Sequence, residues 1–261
     1  KVTAVVNGNA VTKNATFVAD ASTALIELTR TDVQETYVAG TRIGYTAVAK
    51  DANGNTITDA EFEVKAEGGA AASASITATN NGVAVLSLYD TRAGETKLTV
   101  TLANNAEVAA DDTVKYVPDE SSAQISNLTV VKDYAFANSS DEDVITFNAT
   151  DKYQNLLPGV DTSAFTVSVA RYGASWVLSQ QEDGSFEVKI KGSSVAMHTV
   201  VINHDSWSSV QKSVWFKPVV SAEVMVNNAS ANGLSENVVR TRFYAVARDG
   251  SVEGVANARF A

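Results

Sequence analysis

Residues 115–123 read KYVPDESSA, and residues 16–24 read TFVADASTA. Each segment carries an aromatic residue, a valine, an aspartate and then small polar residues. A weaker third copy, WFKPVVSAE, covers residues 215–223, and the aromatic positions of the three copies are 99 and 100 residues apart. A segment that returns at a constant spacing indicates an internal repeat of about 100 residues.

The segments between these copies have the pattern of β-strands. TKLTVTL (96–102), VAVLSLY (83–89) and SFEVKIK (185–191) alternate apolar and polar residues, which places one face in a core and the other in water. No window of about 12 residues keeps the spacing of an amphipathic helix. NG at 53–54 and DG at 183–184 are typical of hairpin turns between strands. The sequence therefore predicts an all-β protein.

Other features share the same period. DANGNTITDAEFEV (51–64) has its counterpart in DKYQNLLPGVDTSAFTV (151–167), and NNGVAVLSL (80–88) in EDGSFEVKI (182–190). The predicted unit is one β-sandwich repeated head to tail. The predicted domains are a last hairpin of a preceding repeat, a complete repeat, a divergent complete repeat and the first strands of a following repeat: 1–20, 21–118, 119–218 and 219–261.

The first complete repeat resembles the bacterial immunoglobulin-like repeat of the intimin and invasin adhesins. The resemblance rests on the order of DANGN, NNGVAVLSL, TRAGETKLTV and VKYVPD. Repeat 119–218 departs from it, because GSSVAMHT replaces the AG segment and DKYQN replaces DANGN. The resemblance implies tandem immunoglobulin-like sandwiches in an elongated rod at the bacterial cell surface, anchored in the outer membrane by a part outside this fragment.

Charge and composition exclude several functions. The 261 residues include 45% hydrophobic residues, which is enough to bury ordinary cores, and the formal net charge is -10. This charge opposes binding to nucleic acid or to an anionic membrane surface. The longest apolar runs are far shorter than the roughly 20 residues that cross a bilayer. The start at Lys1 and the partial repeats suggest a piece of a longer protein.

Few residues suggest chemistry. Asp51, Asn53 and Asn55 have the spacing of the first calcium-loop ligands, but Thr56 and Phe62 stand where glycine and a bidentate acid are needed. There is no cysteine, and the two histidines, His198 and His204, could contribute to a metal site only together with remote carboxylates.

The segment HDSWSS (204–209) places a histidine, an acid and a serine in consecutive positions. Consecutive residues of an extended chain point in opposite directions, so they do not form a triad. We predict no enzyme activity, no metal and no cofactor.

The repeated phrase itself is interpreted as the joint between two sandwiches. Its candidate joint residues are Asp20, Pro118, Asp119 and Pro218. Only about four residues separate the last strand of one repeat from the first strand of the next, and proline restricts one φ angle, so the connection should be stiff. The third copy has Val219 in place of the aspartate, which argues against calcium at the joints.

Exposed aromatic residues are the candidates for partner contact. We expect Trp207 at a hairpin tip, where it either contacts a partner or folds back on its own loop. Arg171, Tyr172 and Trp176 lie in nearby loops and strands of the divergent repeat and are further candidates. The alternation also favours core positions for Trp176 and Trp215.

Two functions follow from these patterns. The first is a stalk segment that presents a distal binding domain of an adhesin, with the neighbouring repeats of the same chain as its partners. The second is direct binding of a host cell-surface protein or glycan through loops of repeat 119–218. A third reading, a carbohydrate-binding module, would need a strip of exposed aromatic residues on one sheet, and the polar faces hold mostly Thr, Ser, Glu and Lys.

Overall fold

The computed structural model describes residues 2–14, 16–170, 172–218, 220–225, 242–247 and 252–253. By their contacts the residues form two units: Lys1–Ser122 together with Asp151–Asn155, and Ala123–Thr150 together with Leu156–Ala261. Among the described residues no helix is long and apolar enough to cross a membrane.

The first unit begins with an antiparallel hairpin of β1 (Val2–Val6) and β2 (Asn9–Lys13). Asn7 and Gly8 turn the chain with positive φ angles, as an Asn-Gly hairpin requires. Every side chain of the two strands is exposed. Eight further strands follow: β3 (Leu25–Arg30), β4 (Tyr37–Val38), β5 (Arg42–Lys50), β6 (Phe62–Glu67), β7 (Ser73–Asn80), β8 (Val83–Tyr89), β9 (Gly94–Leu102) and β10 (Asn105–Val117).

These eight strands form two four-stranded sheets, in the orders β3-β5-β8-β7 and β4-β10-β9-β6. The core lies between them, because strand alternation turns one face of each sheet inward. Tyr45 and Leu86 of the first sheet and Leu98 and Tyr116 of the second belong to one buried cluster. Burial raises the pKa of Tyr116 to about 12.

The second unit repeats this arrangement. Its strands are β11 (Gln124–Val130), β12 (Ala135–Phe136), β13 (Glu142–Thr150), β14 (Phe165–Val169), β15 (Ala174–Gln180), β16 (Phe186–Gly192), β17 (Ala196–His204) and β18 (Trp207–Lys217). The sheet orders are β11-β13-β16-β15 and β12-β18-β17-β14. Its core is built around Phe147, Phe165 and Phe186, whose ring centroids are 4.8 to 5.1 Å apart.

Both units close one sheet with a short parallel pair. β4 pairs with the end of β10 at Tyr37 and Tyr116, and β12 pairs with the end of β18 at Ala135 and Phe216. The same register in both units makes their positions directly comparable. Three further strands, β19 (Val220–Met225), β20 (Arg242–Ala247) and β21 (Val252–Glu253), form an antiparallel sheet. The predicted tandem all-β sandwiches are confirmed, and the boundaries at 20, 118 and 218 stay predictions.

Candidate functional site

The repeated phrase forms a polar turn just after β10. Asp119 precedes a 3-10 turn, Glu120–Ser122, and its Oδ1 accepts hydrogen bonds from the Ser121 amide at 3.2 Å and the Ser121 hydroxyl at 2.5 Å. Its Oδ2 lies 3.0 Å from the Lys152 ammonium. The hydrogen bonds from Ser121, together with Lys152, lower the pKa of Asp119 to about 2. Asp119 is therefore a buried cap whose carboxylate is ionised at neutral pH.

Asp151 organises a second polar turn, Asp151–Asn155, which contacts Asp119. Its Oδ1 accepts from the amides of Tyr153 at 2.8 Å and Asn155 at 2.9 Å. Its Oδ2 accepts from the Asp119 amide at 3.0 Å and from Asn155 Nδ2 at 2.8 Å. Burial alone would raise the pKa of Asp151, but these hydrogen bonds outweigh it and lower the pKa.

Asn155 connects this turn to the loop between β8 and β9. Its Oδ1 accepts from the Ala93 amide at 2.9 Å, and its Nδ2 donates to the Thr91 carbonyl at 2.8 Å. The side chain is buried. A carboxamide that makes both bonds at once has a defined position, since each bond depends on a separate atom. This explains why the five residues of the turn belong to the first unit although they lie between two segments of the second.

Tyr153 of the same turn packs against Gly40. Gly40 has φ +87°, and a Cβ atom there would lie 2.3 Å from the Tyr153 hydroxyl. Tyr153 also interacts with Tyr89, whose pKa is raised by a hydrogen bond between the two side chains. The glycine is thus required twice, for its backbone conformation and for the space above it.

The first copy of the phrase makes the same hydrogen bonds. Asp20 Oδ1 accepts from the Ser22 amide at 3.0 Å and the Ser22 hydroxyl at 2.6 Å, and the Asp20 amide donates to Asp51 Oδ2 at 3.2 Å. The Asp51 carboxylate accepts from Asn53 and Asn55 as Asp151 does from Tyr153 and Asn155. Asp20 is exposed, whereas Asp119 is buried.

The remaining joint candidates are less informative. Pro118 follows the end of β10 at Val117, and Pro218 follows the end of β18 at Lys217; both are half-buried. Val219 lies outside the described residues. Within the part of the chain that the structure describes, no three acidic or histidine side chains come together in a way that could hold a metal ion.

Trp207 is not at the hairpin tip. The tip is formed by Asp205 and Ser206, and Trp207 is the first residue of β18. Its ring stacks on His204 with centroids 3.7 Å apart and meets Phe165 edge-on at 5.9 Å. Trp207 is half-buried and packs against the core. This agrees with the alternative prediction that the side chain folds back on its own loop. A partner contact by Trp207 stays a prediction.

The other aromatic candidates are more exposed. Tyr172 is 98% exposed, and Trp176, on the edge strand β15, is 42% exposed. Trp215 is 40% exposed because Val214 and Phe216 on either side of it face the core. The expectation that Trp176 and Trp215 lie in the core is therefore wrong. Arg171 lies outside the described residues.

No family model matches the chain. The inverse autotransporter adhesin YeeJ of Escherichia coli K12 is 30% identical to it over 250 residues, which cover 92% of this chain. This match confirms the predicted resemblance to the immunoglobulin-like repeats of intimin and invasin adhesins. The chain spans only 10% of the length of YeeJ.

Solved structures of adhesins are similar to the chain at lower sequence identity. Invasin, described as a bacterial integrin-binding protein, has a TM-score of 0.45 at 20% identity, covering 87% of this chain and 47% of invasin. The Escherichia coli adhesin FdeC has a TM-score of 0.41 at 22% identity, covering 81% of this chain and 71% of FdeC.

The second immunoglobulin-like unit has an aromatic strip that the sequence did not predict. We define the aromatic strip as Tyr134, Phe136, Met197 and Trp215. Met197, 53% exposed, faces Trp215 across β17 and β18. Phe136 faces Lys217 across β12 and β18, and the Tyr134 ring meets Phe136 edge-on at 5.5 Å. The Lys217 ammonium lies 3.8 Å from the centre of the Tyr134 ring.

The first immunoglobulin-like unit has no such strip. Register places Thr36, Val38, Glu95 and Lys115 at the corresponding positions. The signal was present in residues 213–217, SVWFK, where two apolar residues at alternate positions leave the tryptophan between them on the outer face. The divergence of the second unit is therefore concentrated on one outer sheet face as well as in its loops.

Proposed function

We propose that this chain is a segment of the extracellular stalk of a bacterial outer-membrane adhesin. In this role it spaces and presents a distal domain that attaches to host cells or other surfaces. Support comes from the similarity to the inverse autotransporter adhesin YeeJ and from the tandem sandwiches.

The observation that carries the proposal is the pair of connected polar turns at Asp119 and Asp151. Between them, Asp119 and Asp151 accept six of the hydrogen bonds described above and make one ion pair with Lys152, and Asn155 adds two hydrogen bonds to the loop between β8 and β9. Buried carboxylates that are fully hydrogen-bonded are costly to separate from their donors, because each donor would lose its partner. A turn held in this way has a fixed position within the first unit, which supports the short, stiff connection that a stalk requires.

Small-angle X-ray scattering of residues 1–261 tests the stalk directly. Each sandwich should be roughly 35–40 Å long from the rise per residue of its strands, so two in line should give an extended particle. As a matched control, a ten-residue Gly/Ser insertion between Val117 and Pro118 should broaden the distance distribution. A compact, near-spherical particle, or no change on insertion, would contradict the proposal.

Direct binding by repeat 119–218 is the second candidate function. The aromatic strip favours it, because four neighbouring outward positions are apolar or aromatic in this unit alone. Exposed aromatic clusters are common anchors in protein interfaces. Tyr172 and Trp176 extend the candidates, and Trp207 is a weaker one because its ring already packs against His204 and Phe165.

A double variant separates the two functions. Trp215→Lys with Met197→Glu installs the residues of the first unit at the same register, so the fold should be preserved. If the strip binds a host protein or glycan, attachment of the whole adhesin falls while the melting temperature does not. Unchanged attachment would leave the stalk as the function of this segment. Trp207→Ala serves as the comparison variant for the hairpin.

A further inference from the structure

The turn Asp151–Asn155 shows how an asparagine in this kind of turn binds a neighbouring loop. Its Asn155 side chain is buried because it accepts from the Ala93 amide and donates to the Thr91 carbonyl. In the loop between β8 and β9, the Thr91 carbonyl and the Ala93 amide are thus two residues apart, and one carboxamide binds both. Side-chain amides match such a backbone pair well, since they offer one acceptor and one donor side by side.

The turn Asp51–Asn55 has the same internal structure without that neighbour. Asn55 Nδ2 donates to Asp51 Oδ2 at 2.9 Å, against 2.8 Å for Asn155 and Asp151. The Asn55 amide donates to Asp51 Oδ1 at 2.8 Å, against 2.9 Å in the second turn. The Asn55 carboxamide is therefore held in the docked orientation by its own turn.

The outward side of Asn55 is open. The residue is exposed, and among the described residues its Oδ1 accepts no hydrogen bond. Holding a polar side chain in one rotamer loses conformational entropy, which is offset where the side chain gains a partner. The same arrangement gains its partner at Asn155, where the loop between β8 and β9 supplies both groups.

The hairpin of β1 and β2 indicates what kind of partner this is. Phe17 holds the position in its phrase that Tyr116 holds in the next, and Tyr116 is fully buried in a complete sandwich while Phe17 is 93% exposed. Val2, Val5 and Val6 on β1 are also exposed. In the first unit the corresponding last two strands, β9 and β10, pack their apolar side chains against a second sheet. The hairpin thus has the pattern of strands that another sandwich completes.

We propose that the face formed by Asp51, Asn53 and Asn55 is the docking surface for a preceding immunoglobulin-like repeat. The loop of that repeat corresponding to Thr91–Ala93 presents one backbone carbonyl and one backbone amide to the Asn55 carboxamide. Asn53 stands where Tyr153 stands in the second turn, so this joint lacks the tyrosine contact and does not require a glycine at the position of Gly40. The inference rests on the proposed stalk function, since it needs an array of repeats.

Amide hydrogen exchange tests the surface in two proteins: residues 1–261, and the parent protein that carries the preceding repeat. Docking should slow exchange across the turn Asp51–Asn55 by about tenfold in the parent, as one added hydrogen bond at the upper end of its usual net strength allows. Asn55→Ala should abolish this difference between the two proteins. The Asn53 side chain makes no hydrogen bond among the described residues, so Asn53→Ala should preserve the difference in exchange. Asn155→Ala is the positive control within each protein.

Equal exchange of this turn in the two proteins would overturn the inference. A difference that survives Asn55→Ala, or that Asn53→Ala removes equally, would also overturn the assignment to Asn55. Adhesion does not enter the measurement. A negative result therefore rejects this joint while the stalk function is judged separately by the scattering experiment.

Discussion

The two immunoglobulin-like units have the same topology, but they bury a carboxylate at different positions and with different hydrogen bonding. In the first unit Asp90 is fully buried, and its carboxylate accepts from the Gly69 amide at 2.9 Å, the Arg92 amide at 2.9 Å and the Thr96 hydroxyl at 2.8 Å. Register places Gly192 and His198 of the second unit at the positions of Asp90 and Thr96.

The buried acid of the second unit lies instead at Asp143, in the position of Ile43. Asp143 Oδ2 and His198 Nδ1 are both buried, and neither has a hydrogen-bond partner among the residues that the structure describes. His198 Nε2 lies 3.0 Å from the Ser194 carbonyl, and the ring packs edge-on against Phe216. The comparison teaches that the sandwich tolerates a relocated buried acid, but that the satisfied arrangement of the first unit should be the more stable one.

The largest effect is expected from Asp90→Ala. Three donors lose their acceptor at once, one of them the buried Thr96 hydroxyl, so the free energy of unfolding of the first unit should fall by about 3–5 kcal/mol. Urea unfolding measures it, with the exposed Asp59→Ala as the control within the same unit. A loss below about 1 kcal/mol would mean that water replaces the carboxylate.

Asp143→Ile should have the opposite sign. It removes a buried carboxylate oxygen that has no partner and installs the residue of the first unit, so the second unit should gain about 1–3 kcal/mol. The matched control, Ile43→Asp, should destabilise the first unit.

The effect of Asp143→Ile on stability should depend on pH in a defined direction. Burial raises the pKa of Asp143, so its penalty is absent at low pH, where the acid is protonated in both states, and grows as the pH rises through the unfolded value. The gain from Asp143→Ile should therefore shrink in acid. A gain that is independent of pH would assign it to packing alone.

Gly40→Ala and Gly54→Ala compare the glycine that packs against Tyr153 of the second turn with the glycine inside the first turn. Both glycines have positive φ, at +87° and +82°, but only at Gly40 would a Cβ meet Tyr153; at Gly54 it would meet nothing within 4 Å. Gly54→Ala should cost about 1 kcal/mol from backbone strain, and Gly40→Ala about 2–3 kcal/mol with faster amide exchange at Tyr153. Equal losses would exclude the tyrosine contact as a stabilising interaction.

Asp119→Asn should have the smallest effect, on the order of 1 kcal/mol at neutral pH. The pKa of Asp119 in the folded state is about 2, below the unfolded value of about 3.9, so its stabilisation is complete above pH 4 and is lost as the pH falls toward 2. The difference between wild type and variant should close over that range. Asp20→Asn at the exposed copy is the control and should change stability less.

Much of the fold could be predicted from local pattern. Alternation identified strands such as 96–102 and 185–191, which fall within β9 and around β16, and the period of about 100 residues identified the tandem sandwiches. The position of Trp215 was missed because alternation shows that two faces differ without stating which one is buried. Val214 and Phe216 decide it through their contacts with the core.

The sequence by itself determined the repeat, the all-β class and the polar turns at Asp20 and Asp119, because these depend on residues close together in the chain. Tertiary structure decided that Asn155 binds Thr91 and Ala93, 64 and 62 positions away, and that Asp143 and His198 are buried without full pairing. Such contacts depend on how strands are ordered within a sheet. Local propensity carries no information about that order, since it is set by the packing of the whole sandwich.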